Sequence, residues 1–141
     1  MKILLDTHIL IWFFNGDERL SLKARELIAD ESNEIYYSHL SVWEIEIKHK
    51  AHPDRLSMTG ERFGEHCKRL GFIQVPVEVE HILKVKNLVR KENTPQHRDP
   101  FDRLMICQAI VDNMIFIQKR REKYESPLDS INVKRYTREC G

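Results

Sequence analysis

The chain has 141 residues, of which 41% are hydrophobic, 32% charged and 9% aromatic, a profile typical of one soluble globular domain. Its 23 Lys and Arg residues nearly balance 22 Asp and Glu residues, giving a formal net charge of +1, which excludes a protein that coats nucleic acid by uniform positive charge. No stretch approaches the about 20 apolar residues of a membrane span, and three cysteines without a CxxC pair indicate reduced thiols. We therefore expect residues 1–141 to form a single domain in the cytoplasm.

The beginning of the chain predicts a buried strand followed by two helices. Residues 2–5 form a short, mainly apolar run, as a strand buried on both faces of a parallel sheet requires, and Asp6 ends it. Residues 9–14 predict a short helix because a turn signal, NGD at 15–17, follows them. Ser21 is expected to cap the second helix. Asp6 would then lie at the carboxyl end of the first strand.

A second unit of strand and helix follows. Residues 34–38 (EIYYS) are rich in side chains that favour strands. Ser41 is expected to open the next helix, with Val42, Trp43 and Ile45 facing inward. This alternation is typical of an α/β protein.

The rest of the chain continues the alternation. Further elements are expected, in chain order, as a helix over 59–70 that ends at Gly71, a strand over 72–76, a helix over 79–90, a helix that opens at Asp99-Pro100, and strands over 114–117 and 131–135. The whole pattern predicts an α/β fold with a mainly parallel sheet flanked by helices. Ligands of such sheets bind at the carboxyl ends of the strands, where Asp6 is expected.

Acidic side chains stand at the boundaries of several predicted elements, and each has an ordinary structural explanation. Asp6 and Asp99 can cap the helices that follow them. Glu44 completes a capping box with the serine three residues before it and an i,i+4 ion pair with Lys48. Asp102 lies in the first turn of a predicted helix, where the helix dipole stabilises an acid.

Taken together, three of these acids indicate a metal site. Asp6, Glu44 and Asp102 each lie where an element begins or ends, so one rim of the sheet would gather them. Clustered carboxylates repel one another, and such a cluster persists only where a cation neutralises it. Oxygen ligands suit hard divalent ions such as Mg²⁺ and Mn²⁺.

Three blocks of the sequence match a pattern that belongs to a known family. The blocks are residues 3–12 (ILLDTHILIW), 41–48 (SVWEIEIK) and 97–109 (HRDPFDRLMICQA). With them the chain resembles a PIN-domain ribonuclease, and within that family the toxins of bacterial VapBC-type toxin–antitoxin pairs. The resemblance implies a PIN-like three-layer domain that hydrolyses RNA with metal-activated water, leaving a 5′-phosphate and a 3′-hydroxyl. It also implies a cognate antitoxin protein as partner and a homodimer.

The same resemblance implies which residues hold the metal ion. The implied ligands of Mg²⁺ or Mn²⁺ are Asp6, Glu44 and Asp102, with Asp99 as a further or alternate ligand. The family usually adds a fourth acid after the next strand, in a Thr-x-Asp pattern. Gln118 and Arg120 occupy those two positions here, which is expected to weaken at least one ion site and to favour one-metal catalysis.

Basic residues adjoin the acids and predict a local phosphate-binding rim. The residues expected to contact RNA are Lys48, Arg98, Arg103 and Arg120. Single-stranded or looped RNA is the expected substrate because its bases can be splayed out and stacked. The aromatic run at 12–14 is expected to lie in the core or at a partner interface, and not to stack on bases.

Two alternatives to a ribonuclease follow from single positions. Arg120 in place of an acid favours a catalytically impaired PIN domain that binds RNA or an antitoxin without efficient cleavage. An aspartyl-phosphate phosphatase would need a second aspartate two residues after Asp6, and His8 stands there, so we set this function aside.

Overall fold

The structure is a computed structural model that describes residues 1–87 and 99–119 and the backbone of residues 131–135. Its sheet has five strands in the spatial order β3-β2-β1-β4-β5. The first four are parallel, and β5 runs antiparallel to β4. The strands are β1 (Lys2–Leu5), β2 (Glu34–Ser38), β3 (Ile73–Val75), β4 (Ile115–Lys119) and β5 (Ile131–Arg135). The prediction of a mainly parallel α/β sheet is confirmed.

Helices connect the parallel strands. They are α1 (Thr7–Asn15), α2 (Leu22–Ala29), α3 (His39–Ala51), α4 (Gly60–Arg69), α5 (Val79–Lys84), which continues as a 3₁₀ turn (Val85–Asn87), and α6 (Pro100–Val111). The helix predicted over 79–90 is therefore shorter within the described residues, and residues 88–90 lie outside them. Among the described helices, none combines the length and apolarity that crossing a bilayer requires.

Both faces of the sheet are covered, which makes the domain three-layered. Ile3 and Leu5 of β1 point into a core that α1, α2, α3 and α4 share. Leu4, between them, points to the opposite face and packs in a second core with α6. A strand buried on both sides needs apolar side chains in succession, which is why β1 has no alternation of polar and apolar residues.

Two of the predicted helix caps are confirmed. The Ser21 hydroxyl accepts a hydrogen bond from the amide of Ala24 at 3.2 Å and caps α2. The Asp99 carboxylate accepts from the amide of Phe101 at 2.9 Å and caps α6, with Pro100 at the first helical position.

The predicted start of α3 is wrong. The helix begins at His39, and its cap is Ser38, whose hydroxyl accepts from the amide of Leu40 at 3.1 Å. Ser41 is fully buried in the first turns of the helix, so it forms no capping box with Glu44. The reason is that β2 runs directly into α3, with the last strand residue serving as the cap.

The inward orientation predicted for Trp43 is also wrong. This side chain is 60% exposed, and its ring meets Phe101 edge-on at a centroid distance of 5.2 Å. Val42 and Ile45 do pack into the core. A single helix face is too narrow for all three side chains, because Val42 and Ile45 lie about 60° apart around the helix whereas Trp43 lies about 100° from Val42 and about 160° from Ile45.

In α5 the buried and exposed faces are inverted relative to the hydropathy pattern. Val79, Ile82 and Leu83 are more than half exposed, whereas His81 is only 2% exposed. The His81 Nδ1 accepts from the amide of Glu78 at 2.9 Å, and its Nε2 lies 3.2 Å from Asp112 Oδ2. These polar partners allow the imidazole to be buried against α6.

Candidate active site

Three acidic side chains are buried at the carboxyl end of the parallel sheet. Asp6 directly follows β1, and its amide donates to the carbonyl of Ile117 in β4 at 2.9 Å. Glu44 lies on α3, which leaves the end of β2, and Asp102 lies in the first turn of α6. Asp6 and Glu44 are each 4% exposed and Asp102 is 8% exposed. Carboxylates are rarely buried to this degree unless they are paired or bind a metal.

The three acids act on one another electrostatically. Burial and the charge of Asp102 raise the pKa of Asp6 to about 7, and the charge of Glu44 adds to this effect. The backbone amides of Lys119 and Thr7 oppose the rise in the pKa, and the Lys119 amide donates to Asp6 Oδ2 at 3.3 Å. Asp6 therefore does not cap α1 as the sequence suggested, but faces the other acids and the end of β4.

Both oxygens of Glu44 have partners within the protein. Oε1 accepts from Lys48 Nζ at 2.8 Å, which confirms the predicted i,i+4 ion pair. Oε2 accepts from the hydroxyl of Thr7 at 3.1 Å, and that hydroxyl also lies 2.8 Å from the hydroxyl of Ser41. Thr7 and Ser41 are fully buried. They orient Glu44, a role the sequence analysis did not assign to either residue.

As they stand, no three acidic, histidine or cysteine side chains of the described residues converge closely enough to hold an ion. The Lys48 ammonium partly neutralises Glu44 where a metal ion would otherwise do so. The donor set itself suits a hard divalent cation, since it consists of carboxylate oxygens from three elements. The Lys48 ammonium already occupies one oxygen of Glu44, so a metal ion at these carboxylates would compete with it.

His8 lies beside the acids in a strongly cationic environment. Burial and the charges of Lys48, Lys119 and Arg19 lower the pKa of His8 to about 4, while the charge of Asp99 opposes this effect. Lys48 Nζ lies 3.4 Å from its Nε2. The imidazole is therefore neutral at physiological pH.

The structure describes two of the four residues that were predicted to contact RNA. Lys48 lies in the site but is paired with Glu44. Arg103 follows Asp102 on α6 and is half-buried. Arg98 and Arg120 lie outside the described residues. Gln118, which stands at the family's threonine position, is buried at the end of β4.

The aromatic run belongs to the core, as the sequence analysis predicted. Trp12 is 4% exposed, and Phe13 and Phe14 pack partly buried against the same core. Two cations approach the Trp12 ring: Arg19 Cζ at 5.0 Å and Lys119 Nζ at 5.7 Å from its centroid. The sequence offered no signal for Arg19, because its contact with Trp12 depends on the turn between α1 and α2.

Comparison with known proteins assigns the chain to a family. A family model described as PIN domain matches residues 3–124. The chain is similar in structure to one described as "Crystal structure of VapBC2 from Rickettsia felis bound to a DNA fragment from their promoter", with a TM-score of 0.59 and 14% sequence identity, over 82% of this chain and 86% of that one. No curated protein matches the chain. At this identity the structural likeness shows a shared fold, and the family model, which spans most of the sequence, shows that the chain belongs to the PIN-domain family.

Proposed function

We propose that this PIN-domain protein is a metal-dependent endoribonuclease and the toxin of a toxin–antitoxin pair. The observation that carries the proposal is the burial of Asp6, Glu44 and Asp102 together at the carboxyl end of the sheet. Keeping three anions in one buried place is unfavourable, and burial, followed by the charges of Asp102 and Glu44, raises the pKa of Asp6. A site built this way is stable in its ionised form only with a cation bound.

Asp6, Glu44 and Asp102 are the proposed ligands, and Asp99, which caps α6, is a further candidate. Mg²⁺ and Mn²⁺ both prefer oxygen donors of this kind. When bound, such an ion supplies activation of water and neutralisation of charge on the phosphate. The protein contributes orientation: Thr7 holds Glu44, and the amide of Lys119 holds Asp6.

RNA is the proposed substrate, and cations around the acids are its proposed contacts. A phosphodiester approaching three carboxylates is repelled unless positive charges meet it. Lys48 contacts Glu44, and its ammonium would be available to a phosphate group of the RNA once a metal ion has replaced it there. We also propose, from the sequence, that phosphate groups of the RNA are contacted by Arg98, Arg103 and Arg120.

An antitoxin is the proposed protein partner. One solved structure that is similar in fold to this chain is of VapBC2 bound to a DNA fragment from their promoter, and we extend the pairing to this chain by analogy. The partner would be a small DNA-binding protein with a peptide that covers the acidic site. A homodimer is proposed on the same family resemblance.

A catalytically impaired, RNA- or antitoxin-binding domain is the second candidate. Arg120 at a position where the family has an acid favours it, as does the Lys48 ammonium on Glu44. In the sequence, Arg120 puts a positive charge at a position where the family resemblance implies an acidic ligand, and the Lys48 ammonium occupies an oxygen of Glu44, a proposed ligand. This candidate keeps the fold and the partner but predicts little or no cleavage.

An RNA-cleavage assay with Mn²⁺ or Mg²⁺ separates the two candidates. The native chain should cleave single-stranded RNA, EDTA should stop the reaction, and Asp6→Asn should lower the rate at least about a hundredfold if the carboxylate is a metal ligand. Asp54→Asn, at an exposed position of the loop after α3, is the matched control and should cleave like the native chain. Binding of RNA or antitoxin without cleavage by the native chain would support the impaired domain.

The departure at the end of β4 has its own test. Combining Gln118→Thr with Arg120→Asp restores the family pattern and should raise the cleavage rate or lower the metal concentration that cleavage needs. An unchanged rate would show that this segment does not contribute the fourth ligand.

A further inference from the structure

Two cations share one buried aromatic ring at the edge of the acidic site. Trp12 lies on α1, which starts directly after Asp6. Arg19 Cζ lies 5.0 Å and Lys119 Nζ 5.7 Å from the Trp12 ring centroid, and the ring is only 4% exposed. The amide of Lys119 donates to Asp6 Oδ2 at 3.3 Å. Contact with the Trp12 ring therefore holds both cations beside the carboxylates.

Arg19 is held in place before any ligand arrives. Asp17 accepts from Arg19 Nη2 at 2.6 Å, from its Nε at 3.1 Å and from its backbone amide at 2.9 Å. The turn that brings these groups together starts at Gly16, whose φ of 62° is the left-handed conformation that glycine adopts without strain. The Arg19 side chain is still 67% exposed. A guanidinium braced on a carboxylate and an indole loses little side-chain entropy when it binds an anion.

Cations outnumber anions among the charges that act on His8 on this side of the site, where Asp99 opposes three cations. The charges of Lys48, Lys119 and Arg19 all act on His8, which lies in the first turn of α1. Lys48 and Arg19 each have a carboxylate partner, whereas the Lys119 side chain is exposed and lies over Trp12. An anion that binds next to the acids therefore meets the exposed ammonium of Lys119 and the guanidinium of Arg19 here, and such cations attract phosphate groups.

We propose that Arg19 and Lys119, seated on Trp12, form a binding subsite for a phosphate group of the RNA strand that runs into the acidic site. This inference rests on the proposed function, because it takes RNA to be the substrate. Arginine suits the role through its fork of N–H donors, and lysine through its point charge. An acidic protein segment is the competing ligand, and the test treats it as a contrary outcome.

The test is binding of a fluorescent single-stranded RNA to the full chain in EDTA, where metal-dependent cleavage does not interfere, over a range of KCl concentrations. Arg19→Gln and Lys119→Gln should each weaken binding about five- to tenfold. Each should also reduce the slope of log Kd against log salt by up to about 0.7, the value for one fully lost phosphate contact on a single strand. Arg62→Gln removes an exposed cation on α4 and should leave both quantities unchanged.

One further variant and one further probe separate RNA binding from stability. Arg19→Lys keeps the charge and should recover most of the salt slope but not the full affinity, whereas a residue that only supports the turn would change the melting temperature and leave the slope alone. Native salt slopes in Arg19→Gln and Lys119→Gln, or no RNA binding by the native chain, would overturn the subsite. The subsite would also be overturned if Arg19→Gln and Lys119→Gln lost binding of hexaglutamate, a probe for an acidic protein segment, but still bound RNA like the native chain.

The cleavage assay distinguishes failure of the subsite from failure of the function. If the native chain cleaves RNA with Mn²⁺ while Arg19→Gln binds RNA like the native chain, only the subsite is wrong.

Discussion

Replacing Asp6 by asparagine is expected to make the metal-free protein more stable at neutral and alkaline pH while it removes metal binding. The side chain is 4% exposed and lies near the charges of Asp102 and Glu44. Asparagine keeps its size and an oxygen that can accept from the Lys119 amide, but it carries no charge. The substitution therefore removes an uncompensated anion without leaving a cavity.

The magnitude follows from the pKa of Asp6. Burial, Asp102 and Glu44 raise this pKa from its ordinary value of 3.8 to about 7, which corresponds to about 4 kcal/mol against the ionised form. Because folded Asp6 holds its proton to higher pH than unfolded Asp6, its contribution to stability is greatest below about pH 4 and is lost as the pH rises from about 4 through 7. Asp6→Asn should not show this loss, so its advantage should grow from near zero at about pH 4 to a few kcal/mol at about pH 8.

Urea unfolding in EDTA at several pH values measures this difference, and Asp54→Asn is the control at an exposed position. Adding Mn²⁺ at about pH 8 should then stabilise the native chain and leave Asp6→Asn unchanged, because ligand binding stabilises only the form that binds. A variant as stable as the native chain, or less stable, at about pH 8 in EDTA would refute the view that Asp6 is an uncompensated anion.

Two further predictions concern Lys48 and the start of α4. Lys48→Met should tighten Mn²⁺ binding about fivefold, as measured by calorimetry, because the Lys48 ammonium competes with the ion for Glu44. The effect is modest because the Lys48 side chain is 40% exposed and its charge is partly screened. Unchanged or weaker Mn²⁺ binding would contradict this prediction. Gly60→Ala should destabilise the protein by about 1 kcal/mol in urea unfolding, since its Cβ would lie 2.5 Å from the Glu46 oxygen that accepts from the Gly60 amide. A Cβ added at Gly64 would meet no atom within 4 Å, so Gly64→Ala should stabilise α4 by about 0.5 kcal/mol. Equal effects of Gly60→Ala and Gly64→Ala would refute the close contact of Gly60 with Glu46.

Short-range features of this protein could be predicted from its sequence. The apolar run of β1, the Ser21 cap and the Asp99-Pro100 start of α6 depend on a few neighbouring residues, and the structure has them as predicted. The pairing of Glu44 with Lys48 is also local, because i and i+4 lie on the same side of a helix.

Where the outcome depended on packing between elements, prediction was incomplete. Ser38 caps α3 because β2 ends there, and Trp43 is exposed because its neighbours fill the core face. His81 is buried, against the hydropathy of α5, because Asp112 of the turn after α6 provides a partner.

The sequence by itself determined which acids stand at the ends of elements and which residue types could bind a metal or a phosphate. Only the tertiary structure decided that Asp6, Glu44 and Asp102 share one buried region, that Lys48 points into it, and that Arg19 lies over Trp12. The physical reason is that β1 lies between β2 and β4 in the sheet. Parallel strands in that order bring their carboxyl ends, and the helices that start or pass there, to one edge, a proximity that no local pattern along the chain encodes.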